Sequence, residues 1–199
     1  MDFEIQRLAT SLDEMSPTGR ATIFGLCARV LAPLVVEVER RYAGVWSFRD
    51  YAPALEVIET FALDAGPAGD RGELRASLAA SVPNGHDLDG PWSTNVQAAI
   101  ICADAGLAAA SVDAQPESIW IEYALEPLTS SVQARDIALV RRLGYTAWLY
   151  RLPQDPAVAA ALNFIQQCCR RILSGGPLTR REFTALVSEG NVLLPVRVD

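Results

Sequence analysis

The stretch from His86 to Ser111, HDLDGPWSTNVQAAIICADAGLAAAS, constrains the fold more than any other part of this chain. A polar turn, His86 to Gly90, leads into Pro91, which suits a first helical position because its missing N–H would have no partner there. Trp92, Val96, Ala99, Ile100, Ala103 and Leu107 follow at helical spacing, and the remaining faces carry Ala98, Ile101, Cys102, Ala105 and Ala109. A helix that is apolar nearly all round is a buried one, and small side chains let its neighbours approach closely. Residues 91–111 are therefore the expected central helix of an all-α protein.

The flanking segments read as helices around it. Phe3, Ile5, Leu8 and Leu12 make a short amphipathic helix ending near Asp13. Ser16-Pro17-Thr18 opens a second, with Ile23, Leu26, Cys27, Val30 and Leu34 on one face. Pro33 predicts a kink or break near Ala32, and Gly44 a stop. Ser47 and Asp50 resemble a capping box for a helix through Tyr51, Leu55, Ile58 and Leu63, and Asp70 begins a short helix closed by Pro83-Asn84-Gly85. Gln115-Pro116-Glu117 starts a further helix that Pro127 interrupts, although its SIWIEY run also fits a strand. Thr129 to Leu143 reads as one helix, and Tyr145 to Leu152 as either its extension or an extended connection. Asp155-Pro156 caps a helix that ends at Gly175-Gly176. Thr179 and Glu182 form a capping-box pair for a last helix, Arg180 to Glu189, with Asn191 to Asp199 as an extended tail. The expectation is a single domain over residues 1–199, a compact bundle of about eight to nine helices.

Composition narrows function mainly by exclusion. All 17 basic residues are arginine, against 24 acids, for a net charge of −7. Residues 1–130 hold 19 acids and 8 arginines, net −11; residues 131–199 hold 5 acids and 9 arginines, net +4. An acidic balance argues against general nucleic-acid binding, which needs a basic face, and is compatible with a basic protein partner. Asp104 and Asp113 interrupt the richest apolar segment, so no membrane span and no membrane partner is expected, and MDFEIQRL lacks the basic start and apolar stretch of a secretory signal. Cys27, Cys102, Cys168 and Cys169, scattered through helical patterns, read as reduced buried thiols of a cytoplasmic protein.

His86 is the only histidine, so neither a ferritin-like di-iron site nor a three-histidine zinc site is expected, and no metal or cofactor is assigned. His86 with Asp87 and Asp89 offers a proton-transfer group or a plain solvated turn; the two aspartates serve as helix caps or meet a cation. Trp92 is a core residue by spacing, or an anchor for a partner. Adjacent Cys168 and Cys169 point about 100° apart on a helix and do not bridge. Glu56 with Glu59, and Glu122 with Glu126, share helix faces and read as acidic surface. Arg141-Arg142, Arg170-Arg171 and Arg180-Arg181 are anion-binding candidates, or partners for the acidic first half.

The segments IFGLCARVLAPLVVEV, HDLDGPWSTNVQAAIICADAGLAA, PESIWIEYALEPLTSSV and DPAVAAALNFIQQCCRRIL together resemble the YjaG-like bacterial family, small all-helical proteins of unknown function. Asp87, Leu88 and Gly90 match that family's aspartate-leucine-x-glycine loop; Ala32-Pro33-Leu34 departs from its proline-asparagine-aromatic run. The resemblance implies a fold and no activity. Two functional readings follow. One is a non-catalytic binding module, in concrete form an immunity protein that neutralises a basic toxin through Glu37, Glu39, Glu56, Glu59 and Asp64. The other is a small-molecule-binding or enzymatic helical protein with a pocket at His86, Asp87, Asp89 and Trp92.

Overall fold

Ser16 opens the longest helix as its local chemistry dictates: its hydroxyl accepts the Gly19 N–H (3.1 Å), and Pro17 takes the first turn. In the computed structural model, which describes residues 2–64, 66–84, 87, 88, 92–112 and 117–193, this second helix is α2 (Pro17–Arg41), after α1 (Asp2–Asp13). It is followed by α3 (Tyr51–Leu63), α4 (Gly72–Ala80) and α5 (Trp92–Ala109). A 3-10 helix (Ser118–Leu125) leads into α6 (Glu126–Arg135), α7 (Ile137–Leu143) and α8 (Tyr145–Leu149). A 3-10 turn (Leu152–Gln154), α9 (Pro156–Gly175) and α10 (Arg180–Leu193) complete the order. The all-α expectation holds, with ten α-helices rather than eight or nine and no strand among the described residues.

The expected central helix is α5. Thirteen of its residues are buried, including Cys102, Ala103 and Leu107, none of which exposes any surface. It does not stand alone at the centre. Its main neighbour is α2, which is equally buried along one side and also packs on α3, α9 and α10. By length and composition α2 is apolar enough to cross a membrane, contrary to the sequence expectation, yet 72% of its apolar window is buried inside the protein. Core packing accounts for that hydrophobicity. Between the two helices sits Ile58 of α3, fully buried, against positions where Gly25 of α2 and Gly106 of α5 have no side chain.

Several expected breaks fall elsewhere. Pro33 does not break α2, which runs through it from Pro17 to Arg41 with Pro33 on the exposed side. Ser47 and Asp50 make no capping box: Asp50 forms no cap bond and instead accepts the Ser77 hydroxyl, while Glu39 of α2 receives the Phe48 N–H (2.6 Å). Pro127 begins α6 rather than ending a helix, since a first turn needs no proline N–H. The SIWIEY run is 3-10 helix, unusually long for that form. It is held by the Ser118 hydroxyl on Asp13 and by burial of Ile121, Ala124 and Leu125. The expected single helix 129–143 divides at Asp136, where Arg135 reaches Asp136 (2.9 Å) and Asp155 at the start of α9 (2.7 Å).

Tyr145 to Leu152 is mostly helical, turned at Gly144 with φ +83°. The Asp155 cap (2.9 Å to the Ala157 N–H) and the Thr179–Glu182 pair (2.8 and 3.3 Å) form as the sequence indicates. The last helix runs beyond Glu189 to Leu193, because Gly190 lets it approach Val30 and Phe164. Pro91, Gln115, Pro116 and the tail from residue 194 lie outside the described residues.

Candidate functional site

The five acids assigned to a partner surface are not alike. Glu37 is held by Arg40 (2.5 Å) and Arg41 (3.5 Å), and the Arg40 hydrogen bond keeps its carboxyl below the usual range. Glu39 receives the Phe48 N–H and so closes the α2–α3 turn. Glu59, with its side chain 13% exposed, is gripped by Arg29 of α2 (2.5 Å) and touched by Arg180 of α10 (3.4 Å). Asp64 pairs with Arg180. Only Glu56 among the five is exposed with no cation or donor among the described residues. It stands beside a notch of about 310 Å³ lined by Pro53, Val57, Phe61 and Pro67. Arg71 also lines the notch, donating to the Pro67 carbonyl (3.3 Å).

Charge reversal separates the two neighbours on α3. Glu59→Arg should lower unfolding stability by about 2–3 kcal/mol, because it strands the guanidinium of Arg29 and sets a third cation beside Arg180. Glu56→Arg should stay within about 0.5 kcal/mol. Urea denaturation of both variants gives the comparison; equal losses would mean that the network does not distinguish these positions.

At the second predicted site, His86 and Asp89 lie outside the described residues. Asp87 accepts the Asn84 N–H (2.6 Å), closing the turn in the way an aspartate caps a loop. Trp92 is buried, with the Arg41 guanidinium 4.6 Å above its ring, so it serves the core and a cation–π contact at once. Neither residue lines a nearby cavity of about 480 Å³, whose walls are Trp46, Ser47, Arg49, Asp50, Ser77 and Ser81. Sequence reading missed that cavity, since its two walls come from segments about 30 positions apart and the one local signal there, Ser47 with Asp50, reads as a helix cap.

All four cysteines are free and buried. Burial pushes Cys102, Cys168 and Cys169 up to about 12 and raises Cys27 well above the ordinary thiol value, so none supplies a thiolate near neutrality. Among the described residues no three His, Cys, Asp or Glu side chains are placed to hold a metal ion. The arginine doublets divide: Arg180 pairs with the acidic half as expected, Arg171 bonds Glu182 (2.8 Å), and Arg141 and Arg142 have no side-chain partner among the described residues.

No family model, curated protein or solved structure matches the chain.

Proposed function

We propose that this chain is a non-catalytic protein-binding module of the cytoplasm, a relative of the YjaG-like proteins, whose partner is a basic protein such as a toxin it neutralises. The observation that carries the reading is Glu56, exposed and unpaired at the rim of the apolar notch formed by Pro53, Val57, Phe61 and Pro67. A long basic side chain fits both parts, its aliphatic stem along the notch and its charged head on the carboxylate. The net −11 of residues 1–130 adds long-range attraction, which speeds and orients association. Glu37, Glu39, Glu59 and Asp64 are already engaged by groups of their own chain.

The product of the adjacent gene is the partner to test. Its association with this chain should slow as salt rises from low to physiological, and Glu56→Arg should slow it further with the melting temperature unchanged. An association rate indifferent to both salt and Glu56 removes the surface. The second reading, a small-molecule site, is favoured by the 480 Å³ cavity with its three serine hydroxyls and Trp46. Loss of a ligand-induced thermal shift in Ser77→Ala/Ser81→Ala would move the assignment there.

A further inference from the structure

The corner between α7 and α8 carries a second surface, independent of Glu56. Arg141 to Ala147, RRLGYTA, are seven consecutive exposed residues, so the chain here projects from the body. The two helices are short and pack chiefly on each other, on α6 and on the 152–154 turn, with Val140 and Trp148 as their buried contacts. At the tip Leu143 is 38% exposed and Tyr145 52%. Tyr145 lies 5.8 Å from Trp148, ring to ring, and Tyr150 behind it is 76% exposed. The side chains of Arg141 and Arg142 have no carboxylate, hydrogen-bond or ring partner among the described residues, whereas Arg151, further back, lines a cavity with Asp136 and Asp155. No acid occurs between Asp136 and Asp155.

We propose that this corner docks on an anionic lipid surface, Leu143 and Tyr145 entering the headgroup layer while Arg141 and Arg142 meet lipid phosphates. Three features favour a bilayer. Exposed tyrosine and leucine flanked by arginine is the composition that settles at a membrane interface. The rest of the chain holds 24 acids and 15 arginines, net −9, so an anionic plane repels the body and turns the basic corner towards itself. Screening within about 8 Å lets the projecting corner reach the surface while the acidic body stands off.

The test is co-sedimentation of the intact chain with vesicles of phosphatidylcholine alone and of phosphatidylcholine with a quarter phosphatidylglycerol, at low and at high salt. The chain should partition at least about tenfold more strongly onto the phosphatidylglycerol vesicles and leave them as salt rises. Arg141→Glu/Arg142→Glu should abolish partition, and Leu143→Ser/Tyr145→Ser should weaken it. Circular dichroism checks both folds, and the wild-type lipid and salt dependence stands as a readout without any variant. Failure to bind, equal binding to both vesicles, or partition unchanged in both variants overturns the proposal. Binding to soluble polyglutamate but not to vesicles also overturns it, in favour of an acidic protein partner.

Discussion

Raising the pH from 8 to 10 should remove most of the folding stability of this protein. Cys27, Cys102, Cys168 and Cys169 and the Tyr51 hydroxyl are buried among apolar side chains, and burial raises each of their pKa values. Below about pH 8 both the folded and the unfolded chain hold these protons, so stability there is indifferent to them. Above it the unfolded chain releases its thiol protons at ordinary values while the folded chain keeps them. The unfolded state then binds fewer protons, and stability falls as pH rises, until the folded thiols themselves ionise near 12 for Cys102, Cys168 and Cys169. Each thiol costs at most about 1.4 kcal/mol per pH unit, and about half that just above pH 8, so four together cost roughly 3–5 kcal/mol per unit across the window. That is of the order of a whole domain's stability. Urea unfolding under reducing conditions at pH 8, 9 and 10 measures the slope, and Cys102→Ala should remove about one thiol's share of it. A midpoint that does not move between pH 8 and 10 would contradict thiol burial.

The second large effect concerns the contact among α2, α3 and α5. A β-carbon at Gly25 would fall 2.7 Å from Cγ2 of Ile58, and one at Gly106 would fall 2.8 Å from its Cδ1 and 3.2 Å from Cγ1 and Cγ2. Alanine normally strengthens a helix by up to about 1 kcal/mol over glycine. Here overpacking costs about 1–3 kcal/mol, because Ile58 is held from both sides and has no exposed surface to move into. Both Gly25→Ala and Gly106→Ala should therefore lower stability, by a net of about 1–2 kcal/mol. Ile58→Val removes Cδ1 and leaves Cγ2, so it should relieve Gly106→Ala by about 1 kcal/mol and leave Gly25→Ala unrelieved. Equal coupling at both glycines, or a Gly106→Ala variant more stable than the parent, would show that the close approach does not limit the packing.

What could be read from the chain was written in neighbouring residues. Ser16 before Pro17, Asp155 before Pro156 and Thr179 with Glu182 cap their helices as expected, because a cap is a hydrogen bond across two or three residues and needs nothing distant. The apolar run of α5 declared its own burial. Ser47 and Asp50 had the same local appearance and misled, since the Ser77 hydroxyl, 27 positions away, engages the Asp50 carboxylate.

The candidate site shows the same division more sharply. As a sequence, Glu56 and Glu59 are two equivalent carboxylates on one helix face. Only the fold decides that Arg29 and Arg180, 30 and 121 positions from Glu59, close on one and leave the other in water. The arginine doublets are likewise identical in sequence, yet Arg180 pairs with Asp64 while the Arg141 and Arg142 side chains have no partner among the described residues. The sequence by itself determined the all-helical class, most helix starts and the buried character of residues 92–109, because periodicity and capping are short-range. The tertiary structure alone decided which charges are spent inside the molecule and which face outward, because an ion pair is a matter of distance in space.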